Sequence, residues 1–381
     1  MTDTHLRSIK FAPSKLALIA PDVTLKRYIE IGLRPSLRKF HEFRPVIVSP
    51  AGFSRYEKEG KSSNAILGSS VVKSGSTDVI CSISAGVVED SQELTNDYRL
   101  RLDKDIIEAD EDENNSSSKD EDHRVNQYSS VYSVVEVSRG RNGPPTSEEI
   151  ELSQALYETI LHSGMITKES LNIKLGLKSR DSEGKPVIIR RYDSDDSDIL
   201  NEFAPKKNFS YVLYAKIQVY SKTGPLFDLC YAALIKALRN TKLPEMYINE
   251  KETDAKVSAL RARKTNKNDS NGRNGSDLQE FDLLCDPVSF HDLKIDEGKL
   301  SWSSTFGITH GSDSVLLADP EGEAEENIFE GIEVVSSGND TLFSAVITGN
   351  IGEDDHAISK DQIKEAILLS KRRSANMIKE L

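Results

Sequence analysis

The twelve residues from Phe209 to Tyr220 carry Phe209, Tyr211, Leu213, Ala215, Ile217 and Val219 at every second position, with Lys216 and Gln218 between them. Successive side chains of a strand point to opposite faces, so this spacing predicts a long strand with one buried face. Gly224-Pro225 then closes a turn and places Pro225 at the first position of a helix, where a missing N–H leaves no helical bond unmade. That helix buries Leu226, Leu229, Cys230, Ala233 and Ala237 on one side and ends before Pro244.

The same local signals recur along the chain. Residues Ser14 to Gly32 read as a helix broken near Pro21, with Gly32 as its C-cap. Pro45–Ser49 is a short β-branched run, and the segments Asn64–Lys73 and Thr77–Val88 flank Ser74-Gly75-Ser76 as a hairpin. Val131–Ser138 resumes the sheet. Thr146 and Glu149 then form a capping box ahead of a helix that turns Leu152, Ala155, Leu156, Thr159 and Ile160 inward. Leu171–Leu177 is a further strand candidate, and Trp302–Thr309, Ser314–Ala318, Ile328–Ser336 and Thr341–Thr348 follow. A second capping box at Ser359 and Gln362 opens the last helix, which buries Ile363, Ala366, Ile367 and Met377. Strands followed by helices, twice over, predict an α+β fold with a duplicated β-block-plus-helix unit and not a doubly wound parallel sheet. The expected divisions are an N-terminal extension over 1–26, a first part over 27–240 and a second over 241–381.

Three polar stretches interrupt this order. Glu89–Asp122 is loaded with acids, Asp181–Glu202 contains a run of tyrosine, aspartate and serine, and Lys256–Arg273, within a basic insertion over 251–275, has the opposite sign. The first reads as a solvated insertion over 89–122. The third is as consistent with phosphate binding as with simple solvation. With 37% apolar residues and a net charge of −13, the chain does not bind nucleic acid through its total charge, which leaves only local basic patches. No apolar run of about 18 residues predicts a membrane span, and Met1–Lys10 lacks the apolar region of a secretory signal. Cys81, Cys230 and Cys285, odd in number and far apart, fit a reducing compartment. The expectation is a soluble intracellular chain.

Two charged stretches are candidates for chemistry. Leu33–Val46 gathers Arg34, Arg38, Lys39 and Arg44 between the first helix and the first strand. The planar guanidinium fork suits phosphate and carboxylate equally, so the arginines either make surface ion pairs or face RNA or a neighbouring subunit. Arg139 and Arg141 form a second basic loop before Pro144-Pro145. The acids Asp319, Glu321, Glu323, Glu325 and Glu326 follow the strand Val315–Ala318. Carboxylates at a strand end can hold Mg²⁺ or transfer protons, but an exposed acidic turn is the reading that composition favours. The sequence contains no phosphate-cradling glycine loop and no G-x-S-x-G elbow, and its seven histidines lack metal-ligand spacing. No cofactor and no metal are expected.

Four ordered motifs carry a resemblance to a known family. Leu33-Arg34-Pro35 through Glu42-Phe43-Arg44-Pro45 resembles the opening signature of RNase PH-like domains. Gly68–Lys73 with Gly75-Ser76-Thr77-Asp78-Val79-Ile80 resembles that family's strand pair. Gly224-Pro225-Leu226-Phe227-Asp228 with the alanine-rich run after it resembles its second helix, and Leu317-Ala318-Asp319-Pro320 with Glu325-Glu326 its later strand-end motif. The resemblance implies the RNase PH-like fold, with ribosomal protein S5 domain 2-like duplicated units.

The departures from the family pattern imply a non-catalytic member. Ser36-Leu37 stands where the signature has Asp-Gly. Gly143–Glu149 replaces an arginine-rich segment, and the setting of Asp319-Pro320 is similar to that of inactive members. By resemblance the chain is a structural and channel-lining subunit of the eukaryotic RNA exosome. Its expected partners are other RNase PH-like subunits in a six-membered ring, S1/KH cap subunits, a hydrolytic exoribonuclease subunit and RNA, with no membrane. The roles so implied are rRNA maturation, mRNA turnover and RNA surveillance in nucleus, nucleolus and cytoplasm. No residue is expected to be catalytic, and Arg34, Arg38, Arg44, Arg139 and Arg141 are the expected contacts with RNA or a neighbouring subunit. The alternative is an active phosphate-dependent 3′→5′ exoribonuclease with Asp319 as acid/base and Arg139 and Arg141 holding phosphate.

Overall fold

A computed structural model of the chain describes residues 10–56, 64–90, 131–140, 143–180, 186–190, 208–249, 283–309, 314–322, 324–326, 328–339, 341–352 and 357–379. Two short helices open it, α1 (Pro13–Ile19) and α2 (Pro21–Glu30), separated where Pro21 denies the first helix a continuing N–H. Strands β1 (Ile47–Pro50), β2 (Gly68–Ser74), β3 (Thr77–Asp90) and β4 (Val131–Val137) follow, then α3 (Ser147–Ser163) behind the Thr146–Glu149 capping box. Strands β5 (Gly176–Arg180), β6 (Pro186–Arg190) and β7 (Asn208–Tyr220) lead to α4 (Phe227–Arg239). The second half contains β8 (Lys242–Asn249), β9 (Leu283–Asp292), β10 (Ser301–Thr309), β11 (Val315–Ala318), β12 (Gly331–Ser337), β13 (Leu342–Thr348) and α5 (Lys360–Met377).

The strands form three sheets, ordered β1-β2-β3-β7-β4, β11-β10-β12-β13 and β6-β5-β8-β9. In the first, β2 and β3 form the expected hairpin, with Ser74 opposite Thr77. The alternating strand β7 lies between β3, antiparallel, and β4, parallel. Leu213, Ala215, Ile217 and Val219 of β7 and Val79, Cys81 and Ile83 of β3 are all buried. Helix α4 packs against β2 and β3 on one side and β10 of the second sheet on the other. It is therefore buried nearly all round, from Phe227 through Ile235, and not on one side as its spacing predicts. A helix enclosed by two sheets has no solvent face to show. Helix α5 rests on β10 and β12, closing a smaller core of Phe306, Ile308, Ile332, Val334 and Ala366.

Other local expectations are corrected. Leu171–Leu177 is not one strand: Lys168–Leu171 is a 3₁₀ turn and β5 begins only at Gly176. Leu171 and Ile173 are buried from irregular backbone held by a single bridge at Asn172. Pro225 precedes the helix, which starts at Phe227. Helix α4 does end before Pro244, at Arg239; Pro244 itself lies inside β8, tolerated because the β8–β9 register shifts between Pro244 and Met246. Glu89 and Asp90 continue β3, and Pro186–Arg190 within the second polar stretch is β6, while residues 91–122, 181–185, 191–202 and 251–275 lie outside the described residues.

Candidate functional site

The basic stretch and the acidic turn, separate in sequence, are one site. Arg34 is 0% exposed, and each of its guanidinium N–H groups has a partner. Nε and Nη2 grip both oxygens of Glu325. Nη1 donates to the Ala318 carbonyl at 2.6 Å and the Glu42 carbonyl at 3.4 Å, and Nη2 also donates to the Asp319 carbonyl at 3.0 Å. Glu325 is itself buried, and its carboxylate also accepts the Glu321 N–H at 2.8 Å. The acidic turn expected to be exposed is buried at Asp319 and Glu325, half-buried at Glu321 and exposed at Glu326, while Glu323 lies outside the described residues. A charged pair removed from water must be paired and fully hydrogen-bonded to persist, and this one is.

Arg44 repeats the pattern on Asp319. Its Nε and Nη2 each lie 2.8 Å from one carboxylate oxygen, and its backbone N–H adds a third bond at 3.0 Å. Nη1 donates to the Thr223 carbonyl at 2.8 Å. Asp319 is 4% exposed and has φ +51°, a left-handed conformation that turns the chain sharply out of β11. Its N–H donates to the Thr305 carbonyl of β10. Burial alone would raise the Asp319 pKa, but the hydrogen bonds and charge of Arg44 outweigh it and hold the carboxyl below its usual range. Arg38, more open, bonds the Asp319 and Glu42 carbonyls and the Glu321 carboxylate, each at 3.0 Å. Burial, followed by the neighbouring Arg34, lowers its pKa.

The turn Thr223-Gly224 completes the cluster. The Gly224 N–H donates to Glu326, and Thr223 bonds Thr77 of the β2–β3 hairpin at 2.8 Å. Gly224 has φ +77°, and a Cβ there would sit 2.6 Å from the Pro320 carbonyl oxygen and 2.9 Å from Arg44 Nη2. One step deeper, Asp228 in the first turn of α4 accepts from Ser303 Oγ, from Thr305 N and Oγ1, and from Arg373 of α5. Arg373 lies 4.0 Å from the centre of the Phe43 ring. Burial chiefly lowers its pKa, against the opposing charge of Asp228 and Asp319.

Arg139 is elsewhere. It is partly exposed at the start of α3, where it bonds Thr146 Oγ1 and Glu148, and Glu148 also pairs with Lys222. Arg141 lies outside the described residues. Of the expected contact residues, Arg34, Arg38 and Arg44 therefore stand together on Asp319 and Glu325 with their donors directed inward, and Arg139 stands apart from them. Asp228, quoted above only within the Gly224–Asp228 motif, and Arg373 are the members not expected as site residues. The lone acid opening the apolar face of α4 was a usable signal for Asp228, whereas Arg373 had none. Among the described residues, no group of three or more His, Cys, Asp or Glu is placed to hold a metal ion.

All four sequence motifs thus meet at one hub: the arginine signature, the hairpin turn, Gly224 with Asp228, and the Asp319 turn. The model of the 3′ exoribonuclease family, domain 1, RNase PH, matches residues 42–244, more than half of the chain. The chain belongs to the RNase PH family. It is 22% identical over 243 residues to the exosome complex component rrp43 of Schizosaccharomyces pombe, a match that spans 64% of this chain and 65% of that relative. Two solved structures share the fold. The Archaeoglobus fulgidus exosome with RNA bound to the active site aligns with a TM-score of 0.56 at 14% identity, over 96% of this chain and 99% of that one. An archaeal exosome core aligns at 0.55 and 14%, over 97% and 99%. Within an RNase PH fold, the hub joins the second sheet to the N-terminal signature and to the end of the first sheet.

Proposed function

We propose that this RNase PH-like chain is a non-catalytic subunit of an RNA exosome core. In this reading it sits in a six-membered ring of RNase PH-like chains under S1/KH cap subunits. RNA passes through the ring to a separate hydrolytic exoribonuclease, in rRNA maturation, mRNA turnover and RNA surveillance in nucleus, nucleolus and cytoplasm. The likeness to an rrp43 component and to exosome cores supports the assembly.

One observation carries the non-catalytic half: Asp319, the acid of the enzymatic alternative, is buried and gripped through both oxygens by Arg44. Phosphorolysis needs an acid that can give a proton to the departing 3′ oxygen, and a free cation to hold inorganic phosphate. A carboxylate kept ionised by a bidentate arginine carries no proton to give near neutral pH. Arg34 and Arg44 have already committed their forks to carboxylates, and Arg139, a phosphate holder in that alternative, bonds Thr146 and Glu148. The test is release of nucleoside 5′-diphosphates from a 3′-labelled RNA by the purified chain, with and without inorganic phosphate. No release is expected. Phosphate-dependent release that Asp319→Asn abolishes would restore the enzymatic reading.

A further inference from the structure

A sheet edge presents a row of N–H and C=O groups with no strand to bond, and proteins ordinarily blunt such edges with proline, charge, a cover or brevity. Among the described strands, six are edges, and five of them carry such a device. Strand β1 has four residues and ends on Pro50, β6 starts on Pro186, and β9 contains Asp286 and Pro287. Strand β11 also has four residues, and its Ala318 N–H donates to the Phe40 carbonyl at 2.8 Å. On β4, helix α3 takes outer N–H groups: Val135 donates to Ser153 Oγ at 2.9 Å and Val137 to Glu149 Oε1 at 2.8 Å.

The sixth edge, β13, is open. Its seven residues from Leu342 to Thr348 include no charge and no proline. Its one irregularity, a register shift against β12 between Val335 and Ser336, leaves Ser344–Thr348 in regular antiparallel pairing with Gly331–Val335. Among the described residues, no side chain and no loop backbone bonds it from the outer side. Phe343 packs on the main core and Ile347 on the smaller one, which fixes the strand in place. Leu342 and Val346 are nonetheless 44% and 52% exposed, and Ala345 and Thr348 are exposed beside them.

The surroundings add little charge. Opposite Val346 on β12 stands Glu333, which burial pushes up to about 8, so it keeps its proton at neutral pH. Acids stand beyond the ends of the strand: Glu330 lies against Gly349, and in sequence Asp340 precedes β13 and Glu353-Asp354-Asp355 follows it. A row of unpaired backbone groups is answered by another strand, and uncharged apolar side chains by others of the same kind. RNA offers neither, and β13 offers RNA no cation for its phosphates and no exposed ring for its bases.

We propose that β13 is completed by an extended, uncharged strand of a neighbouring RNase PH-like chain, which continues the sheet β11-β10-β12-β13 across the subunit boundary. A neighbour of the same fold has sheet edges of its own to offer. The inference rests on the ring reading above, and its test separates the two.

The full chain, unaltered or as Ala345→Lys, Thr348→Lys or Val346→Ile, is prepared alone and co-expressed with the other RNase PH-like exosome subunits. Hydrogen exchange follows the amides of residues 342–348, native mass spectrometry reads assembly, titration reads pairwise affinity, and Tm is taken on each isolated chain. Alternate amides of Ser344–Thr348 should exchange freely in the isolated chain and slow at least roughly tenfold on assembly. Each lysine variant should lose at least roughly tenfold in affinity with Tm within about 2 °C of the unaltered chain, and Val346→Ile should keep its affinity. Assembly that leaves exchange in β13 unchanged, or that both lysine variants support with full affinity, would overturn the open edge and leave the ring reading standing. Protection already complete in the isolated chain would overturn it as well, because a segment of this chain or a second copy would then occupy the edge. Failure of the unaltered chain to assemble with any RNase PH-like subunit would overturn both.

Discussion

Arg34→Met removes the guanidinium from Glu325 while keeping the length and apolar volume of the side chain. Glu325 would keep the Glu321 N–H at 2.8 Å but lose both contacts to Arg34, and it would remain buried. The Ala318 and Asp319 carbonyls would lose their donor as well. Breaking a buried pair from one side costs about 3–5 kcal/mol, against about 0–1 kcal/mol for a surface pair. In a folded body of this size, a loss of about 4 kcal/mol lowers Tm by roughly 10 °C. The partner variant Glu325→Met should lose a similar amount. Arg34→Met/Glu325→Met should recover much of it, since neither charge is then stranded. Differential scanning calorimetry on the four proteins closes the cycle. A shift below about 2 °C for Arg34→Met, or single losses that simply add in the double variant, would refute the buried clamp and return the pair to the surface class.

Further outcomes follow from neighbouring residues. Gly224→Ala forces a Cβ against the Pro320 carbonyl and Arg44 at a left-handed φ, and should cost about 2–4 kcal/mol by urea denaturation. Asp319 has a depressed pKa, so its stabilising contribution is complete above the unfolded carboxyl value of about 3.9 and is lost as pH falls through the lower folded value. Asp319→Asn should therefore lose stability at pH 6 and show a flattened acid limb below about pH 4 in a Tm-versus-pH series. Glu333 behaves oppositely: burial, aided by Asp228, pushes it up to about 8. Its folded form keeps a proton that the unfolded chain releases near 4.3, so stability falls as pH rises from about 4.3 to 8. Glu333→Gln should gain Tm over the unaltered chain at pH 8 and show little difference at pH 4.

The parts of the fold legible in sequence are those that local chemistry fixes. Period-two alternation gives β7, Pro21 gives the break between α1 and α2, and the Thr146–Glu149 and Ser359–Gln362 boxes give the starts of α3 and α5. Each signal spans only a few residues. The hub is of another kind: Arg44 and Asp319 are 275 positions apart, and Arg34 and Glu325 are 291 apart. Nothing in a window around either stretch tells an arginine facing water from one facing a carboxylate on a distant strand. Composition therefore favoured an exposed turn, although Asp319 and Glu325 within it are interior. The same limit concealed β8, where Pro244 argues against a strand until the bulge beside it is known. It also concealed the second buried side of α4, which depends on a sheet more than 60 residues downstream. Ser36-Leu37 was legible as a departure from the family's Asp-Gly, but the left-handed backbone and exposure of Leu37 were not.

The charge state of Asp319 tests the central claim most directly. Carboxyl ¹³C titration of the aspartate-labelled chain, with Asp319→Asn identifying the resonance by its absence, measures it without reference to activity or assembly. A carboxylate gripped by Arg44 should remain ionised from neutral pH down to below the usual aspartate value of about 3.9. Titration at or above about 5 would contradict the clamp and leave Asp319 available as the acid of a working exoribonuclease.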